Sequence, residues 1–252
     1  MIFDSHCHLG LDGVPADDEH RRAFEAGVTE MLVVGIDLST TAAARELGER
    51  LEGIRWSAGL HPNRASRFAD EWAGVEALAR TPGCGAIGET GLDFYRDRAP
   101  RPMQETALRA HLELARSLDL PVVIHCREAF AELFSVLADF APLPGVLHCF
   151  SGGPPEAERA LELGLWISFA GPLTYGRNGA IREACARVPG DRLLVETDAP
   201  FLPPEGFRGR RNEVAMARVV LERIAAIRGW SIEEAADRTT ANARALFDRE
   251  IA

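Results

Sequence analysis

Short apolar runs alternate with longer amphipathic stretches along this whole chain, and this alternation limits its possible folds. Short apolar runs are typical of buried parallel strands, and the amphipathic stretches are typical of helices that cover them. Eight strand-then-helix units predict a (β/α)8 TIM barrel of the α/β class. The predicted strands are Ile2–His6, Glu30–Gly35, Arg55–Leu60, Gly85–Glu89, Pro121–His125, Gly145–Cys149, Leu165–Phe169 and Arg192–Glu196.

The length suits a single barrel. The chain has 252 residues, and barrels of this type run to about 250. No Gly/Ser linker or charge block divides the chain, so we expect one domain over residues 1–252. An open doubly wound sheet is the alternative fold, but residues 6–13 lack the glycine-rich phosphate loop that it needs. The predicted helices are Asp17–Gly27, Thr40–Leu51, Asp70–Ala79, Met103–Leu118, Ala129–Phe140, Pro155–Leu163, Ala180–Ala186, Glu213–Arg228 and Ser231–Phe247.

Composition excludes several classes of protein. No apolar run approaches the roughly 18 residues of a membrane helix, and no secretory signal is visible, so we expect a cytoplasmic protein without a membrane partner. The net charge of −10 argues against coating of duplex DNA through a basic face. Any nucleic acid would instead be handled locally, at the strand ends. The sequence does not indicate an oligomeric state.

Histidines concentrate at the carboxyl ends of the predicted strands, where barrels of this kind carry their chemistry. Five of the seven histidines lie there, and we expect the other two, His20 and His111, on the surface. Acidic residues close the fourth and eighth strands. The strand-end residues are His6, His8, His61, Glu89, His125, His148, Glu196 and Asp198.

Six of these side chains form a candidate site for two divalent metal ions. Side chains two apart on a strand share a face, so His6 and His8 supply half of a transition-metal site. Four imidazoles and two carboxylates are too many ligands for one ion and about enough for two. The proposed ligands are His6, His8, Glu89, His125, His148 and Asp198.

The bridge between the two ions must be Asp or Glu. All 28 basic residues are arginine, so the carboxylated lysine that bridges many binuclear hydrolases is excluded. Glu89 is the best candidate, because its small neighbours Gly88 and Gly91 let a carboxylate approach two ions.

Strand adjacency divides the other ligands. It predicts one ion at His6, His8 and Asp198 and the other at His125 and His148. Each of these residues, taken singly, has a structural explanation: a histidine can be a hydrogen-bonded structural residue, Asp198 can be a turn residue, and Glu89 can form a salt bridge. The six residues together favour a metal centre.

The same segments resemble the TatD family of metal-dependent deoxyribonucleases, within the amidohydrolase-like barrels. HCFSG and ETDAPFL are specific to the family, whereas HxH is shared more widely. The matching segments are DSHCHL (4–9), GLHP (59–62), IGETGLDFYR (87–96), VVIHCRE (122–128), LHCFSG (147–152), LLVETDAPFL (193–202), RRNEV (210–214) and TTANARALF (239–247). The resemblance implies the same six ligands and phosphodiester hydrolysis, often as a 3′→5′ exonuclease on DNA and sometimes on RNA. The sequence departs from the family pattern at Thr90, Phe94 and Val214, which affects the substrate-facing surface and the entry to the helix after the last strand.

This function predicts roles for further residues. The ions, zinc, manganese or magnesium, activate a water, and Asp198 is placed to take its proton as general base. Glu89 and His61 are the other expected catalytic residues, with His61 binding phosphate or assisting the leaving oxygen. We expect Arg127 to clamp phosphate, with Asn63, Arg96 and Arg211 as weaker candidates. The expected partner is DNA as the substrate, with single-stranded DNA as one form. Its bases would stack on Phe94, Tyr95, Phe150 or Phe201, although these rings could equally cover the barrel mouth.

Two other functions suit the same residues. An amidohydrolase-type enzyme would cleave an ester, an amide or a lactone with the same activated water, and a D-aminoacyl-tRNA deacylase would do so on a nucleic acid. A non-catalytic metal-binding scaffold should lack a ligand, and none is missing here.

Overall fold

This computed structural model describes residues 1–248 and contains the parallel eight-stranded sheet that the sequence predicts. The strands follow one another in chain order, and each pairs in parallel with the next. Their bounds are β1 (Ile2–Cys7), β2 (Val28–Val34), β3 (Ile54–Ala58), β4 (Cys84–Asp93), β5 (Val122–Arg127), β6 (Gly145–Leu147), β7 (Trp166–Phe169) and β8 (Leu193–Val195).

Helices cover the outside of the sheet, one after each of the first seven strands and two after the eighth. The (β/α)8 barrel is therefore confirmed. The helices are α1 (Ala16–Glu25), α2 (Leu38–Arg50), α3 (Phe68–Ala79), α4 (Arg101–Leu118), α5 (Phe130–Ala138), α6 (Pro154–Glu162), α7 (Gly179–Arg187), α8 (Ala217–Arg228) and α9 (Ile232–Phe247), with short 3-10 helices at Leu11–Gly13, Pro62–Arg67, Gly171–Thr174 and Val214–Met216.

Strand β4 runs beyond its predicted end at Glu89 as far as Asp93. Gly91 explains the difference. Its φ is +140°, and a Cβ atom there would lie 1.9 Å from the carbonyl oxygen of His125, so only glycine lets β4 and β5 approach this closely. The glycines around Glu89 therefore continue the strand instead of ending it.

The barrel closes through the residues that follow the short strand β8. The amide of Asp198 donates to the carbonyl of His6 at 3.0 Å, and the amide of His8 donates to the carbonyl of Ala199 at 2.8 Å. These two bonds set the register between β1 and the segment after β8. They therefore place Asp198 beside both histidines.

Helix α9 covers the amino-terminal end of the barrel, opposite the strand ends that carry the histidines. Phe247 lies in the inner core and stacks on Phe3 at a ring distance of 6.0 Å. Around this contact, Arg55 and Arg244 both form salt bridges to Glu30. This end is packed and paired, which leaves the opposite end for a cavity.

The prediction that His111 lies on the surface is wrong. Its side chain is fully buried on α4, where Nε2 accepts a hydrogen bond from the amide of Leu60 and Nδ1 donates to the carbonyl of Ala107. His20 is half-buried, with Nε2 at 2.9 Å from the carbonyl of Glu52. Within residues 1–248, none of the helices combines the length and the apolar character needed to cross a membrane.

Candidate metal centre

The carboxylate of Glu89 lies at the centre of the predicted ligands, and its two oxygens face different histidines. Oε1 lies 2.9 Å from Nε2 of His148 and 3.0 Å from Nδ1 of His125. Oε2 lies 3.5 Å from Nε2 of His6 and 3.8 Å from Nε2 of His8. One carboxylate therefore joins two groups of imidazoles, as a bridging ligand would.

The first group contains His6, His8 and Asp198. The Nε2 atoms of the two histidines lie 3.3 Å apart. Oδ1 of Asp198 lies 3.8 Å from Nε2 of His6 and 3.7 Å from Nε2 of His8. Nδ1 of His8 lies 3.0 Å from the carbonyl oxygen of Val34, so it carries the proton of the neutral ring. Nε2 of His8 then presents a lone pair to the group.

The second group contains His125 and His148, each with a carboxylate behind its ring. Nδ1 of His148 lies 3.3 Å from Oε1 of Glu196, which also accepts a 2.7 Å hydrogen bond from the amide of Cys149. Nε2 of His125 lies 3.3 Å from Oδ2 of Asp93, in a bent contact. These carboxylates favour the tautomers in which Nε2 of His148 and Nδ1 of His125 present lone pairs to Glu89.

His61 lies beside the same carboxylate but turns a protonated nitrogen toward it, unlike His125 and His148. Its Nδ1 accepts a 3.0 Å hydrogen bond from the amide of Asn63, so the proton of the neutral ring lies on Nε2. Nε2 lies 3.3 Å from Oε1 of Glu89. This tautomer suits a hydrogen-bond donor, although His61 also lies close enough to form a ligand group with Glu89 and His125.

The pKa values of the carboxyl and imidazole groups at the centre shift in different directions. Burial opposes ionisation of Glu89 and Asp198, but the surrounding histidines outweigh it and lower the pKa of both carboxyls. Burial likewise opposes charge on His148, yet Glu89 and Glu196 hold its pKa well above the usual value. For His61, burial dominates and lowers the pKa, which keeps this ring neutral near pH 7.

These residues fit divalent cations. Two acceptors that face each other at hydrogen-bond distance need a proton or a cation between them, and this holds between Glu89 and both His125 and His148. The negative field that draws protons to these rings also favours a cation. The ligand atoms lie within 4.8 Å of one another in the groups His6–Glu89–His148, His6–His8–Asp198 and His61–Glu89–His125.

Three buried carboxylates support the site without having been predicted to do so. Asp93 and Glu196 lie behind His125 and His148, and Asp4 binds both the amide and the hydroxyl of Thr197, just before Asp198. Burial raises the pKa of Asp4 to about 8. The signal was the alternation along each strand, since Asp4 shares a face with His6 and Asp93 shares one with Glu89.

A cavity of about 820 Å³ opens above the centre, and six arginines line it. Arg64 pairs with Asp37 and Arg67 with Glu71. The other four have no acidic partner within the described part of the chain: Arg96, Arg98, Arg127 and Arg177. The cavity therefore presents unneutralised positive charge although the whole chain carries −10.

The predicted substrate-binding residues occupy different places in this cavity. The guanidinium of Arg127 lines it and lies 4.0 Å from the ring centre of Tyr95. Arg96 lines it too, and its backbone amide donates to Asp93. Asn63 donates from Nδ2 to Asp93 at 2.9 Å and keeps a buried, unpaired Oδ1. Arg211 lies elsewhere, in a salt bridge to the buried Glu19.

An eight-stranded parallel barrel whose strand ends gather histidines and carboxylates defines the class of metal-dependent barrel hydrolases. Residues 3–248 match the sequence profile described as TatD related DNase. The chain belongs to this family.

Named relatives agree with the family assignment. The 3'-5' ssDNA/RNA exonuclease TatD of Pantoea vagans (strain C9-1) is 43% identical over 257 residues, which cover 98% of this chain and 99% of that protein. The uncharacterized metal-dependent hydrolase YabD of Bacillus subtilis (strain 168) is 36% identical over 252 residues, with 98% and 99% covered. The crystal structure of YJJV, a TatD homolog from Escherichia coli K12, superposes with a TM-score of 0.92 at 32% identity and 98% coverage of both chains.

Proposed function

We propose that this chain is a metal-dependent phosphodiesterase that shortens single-stranded DNA or RNA from the 3′ end. The observation that carries the proposal is the set of unpaired arginines above a centre of histidines and carboxylates. Guanidinium groups bind phosphate oxygens in a bidentate manner, so an acidic protein that keeps four of them unpaired in one cavity suits a polyanionic substrate.

Two divalent ions would be held by six side chains. His6, His8 and Asp198 would hold one ion, His125 and His148 would hold the other, and Glu89 would contribute to both positions. Imidazole and carboxylate ligands suit zinc or manganese, and phosphate oxygens from the substrate would let magnesium serve. When bound, such ions lower the pKa of a water and polarise the phosphoryl oxygen.

Asp198 is the proposed general base. Its Oδ1 faces His6 and His8, and the residue lines the cavity from which water and substrate arrive. The lowered pKa of Asp198 keeps its carboxylate ionised, so it can accept the proton of the attacking water.

His61 and Arg127 are proposed to act on the phosphate itself. Nε2–H of His61 points into the centre and can donate to a phosphoryl or leaving oxygen. Arg127 offers its in-plane donors while the Tyr95 ring covers one face of the guanidinium. Arg96 would contact an adjacent phosphate. Asn63 would act mainly through Asp93, which it helps to hold behind His125.

Hydrolysis of an ester, amide or lactone uses the same centre, but a neutral small substrate gives no role to the unpaired arginines. A D-aminoacyl-tRNA would use them, because it is also a polyanion. The two polyanionic substrates differ in the bond cleaved, and activity assays can separate them.

The test uses EDTA-stripped protein to which zinc, manganese or magnesium is added back. The substrates are 5′-labelled and 3′-labelled single-stranded DNA and RNA, a DNA duplex, a D-aminoacyl-tRNA and a panel of esters and lactones. Asp198→Asn is the inactive variant, and Glu162→Gln, at an exposed carboxylate of α6, is the matched control.

We expect a metal-dependent ladder from the 5′-labelled strand and early release of labelled mononucleotide from the 3′-labelled strand. Both activities should vanish in Asp198→Asn and persist in Glu162→Gln. A protein that binds two ions but cleaves no phosphodiester would overturn the nuclease assignment. Release of the amino acid from the tRNA without strand cleavage would favour the deacylase.

A further inference from the structure

Phe201 presents an aromatic ring to the cavity from a fixed backbone. The residue is 44% exposed and lines the cavity, and its ring contacts His8 edge-on at a centroid distance of 5.9 Å. Its amide donates to the carbonyl of Asp198 at 2.8 Å, and its carbonyl accepts from Nδ2 of Asn212 at 2.6 Å. The ring is therefore held beside the proposed ligands while one side stays open to the cavity.

Charged and apolar side chains both line the cavity. Arg96 and Arg98 follow β4, Arg127 ends β5 and Arg177 follows β7, whereas Phe201 and Leu202 follow β8. In a barrel whose strands run in chain order, β4 lies four strands from β8, so Arg96 and Arg98 lie across the mouth from Phe201. A ligand that contacts both the arginines and Phe201 must carry an anion and a flat apolar group together, and a nucleotide does so.

None of the other aromatic residues near the cavity, among those the structure describes, presents an exposed ring inside it. Phe150 and Tyr175 are buried. The ring of Phe94 lies under the guanidinium of Arg101 at 4.0 Å, and Tyr95, although 59% exposed, does not line the cavity and is covered on one face by Arg127. Among the described residues, Phe201 combines an exposed ring with a place in the cavity wall.

We propose that Phe201, backed by Leu202, stacks on the base of the 3′-terminal nucleotide. This inference rests on the proposed function and names the subsite that selects a chain end. An internal base is covered on both faces by its neighbours, whereas a terminal base has one free face. Because every base has such a face, the subsite accepts any sequence but requires a base.

The test removes the ring and the base separately. The variants are Phe201→Leu, which keeps an apolar side chain, and Phe201→Tyr, which keeps the ring. Each is compared with wild type on single-stranded oligonucleotides that end in a normal nucleotide or in an abasic one. Binding is measured by fluorescence anisotropy on phosphorothioate-protected strands with manganese present, and KM is measured on cleavable strands.

We expect Phe201→Leu to weaken binding of the normal strand by about 5- to 100-fold, the range for loss of one base–aromatic stack. On the abasic strand the same variant should stay within about twofold of wild type, and Phe201→Tyr should stay close to wild type on both. An equal loss on both strands, or no loss on either, would overturn the inference and leave the nuclease assignment intact. A wild-type protein that neither binds nor cleaves any oligonucleotide would overturn the proposed function itself.

Discussion

Oε1 of Glu89 lies 2.9 Å from Nε2 of His148. The same oxygen lies 3.0 Å from Nδ1 of His125, and the other oxygen faces His6 and His8. Glu89 therefore shares its two oxygens between ligand groups that come from strands on different sides of the barrel. Removal of one negative charge at this point should disturb both groups together.

Glu89→Gln should reduce both metal content and activity. The amide keeps the shape of the side chain but loses the negative charge and one of the two acceptor oxygens. Loss of a partner behind a ligand commonly costs 10- to 100-fold in metal affinity or activity, so loss of the bridge should lower kcat by at least about 100-fold. Metal stoichiometry by mass spectrometry and kcat check this, with thermal unfolding as the control for folding. Two tightly bound ions and normal kcat would contradict a bridging role.

Glu196→Gln should weaken metal binding at the proposed second position without abolishing it. Glu196 accepts from Nδ1 of His148 and from the amide of Cys149, so the carboxylate fixes both the tautomer and the angle of the ring. We expect the manganese concentration for half-maximal activity to rise by about 10- to 100-fold, with activity recovered at saturating metal. Glu162→Gln serves as the exposed control. An unchanged metal titration would show that His148 needs no support from this carboxylate.

Arg127→Ala should raise KM far more than it lowers metal affinity. A hydrogen bond to a charged group contributes about 1.5–3 kcal/mol, which corresponds to an increase in KM of roughly 10- to 100-fold. Loss of one phosphate contact should also reduce the slope of log K against log salt by about 0.7 for a single strand. Arg159→Ala, at an exposed arginine of α6, is the matched control. An unchanged slope of log K against log salt would show that Arg127 does not contact a phosphate of the substrate.

The sequence predicts the barrel and the convergence of the six proposed ligands because both follow from strand order. Residues that close successive parallel strands must meet at one end, whatever the details of packing. The supporting carboxylates are harder to predict. Asp93 is not predicted because Gly91 resembles a turn residue that would end the strand. In the structure Gly91 instead permits the close approach of β4 to β5, and the strand continues to Asp93. Glu196 closes a strand as a metal ligand would, and only its distance from Nδ1 of His148 shows that it is a hydrogen-bond partner of that ring.

His111 was misassigned for a different reason. Its charged neighbours suggested a surface position, but the spacing along α4 places it on the buried face with Gln104, Ala107, Leu108, Leu112 and Ala115. Steps of three and four residues define one side of a helix, so the periodicity carried information that local composition did not. The burial of this side chain has a measurable consequence for stability in acid.

His111 should make the fold sensitive to mild acid. Burial lowers the pKa of its imidazole to about 4 in the folded protein, against 6.5 in the unfolded chain. A depressed folded pKa means that the unfolded chain takes up the proton first, so stability is complete above about pH 6.5 and falls as the pH drops toward 4. At pH 5 this linkage should cost about 2 kcal/mol relative to pH 7.5.

His111→Gln isolates this effect, because the other six histidines are common to both proteins and their contributions cancel. At pH 7.5 the variant should be the less stable protein, since glutamine cannot reproduce both bonds, to the amide of Leu60 and to the carbonyl of Ala107. The difference in unfolding free energy should shrink by about 2 kcal/mol at pH 5, because glutamine does not titrate. Urea unfolding at the two pH values measures the difference. A gap that stays constant with pH would mean that His111 takes up its proton equally well in the folded and unfolded states.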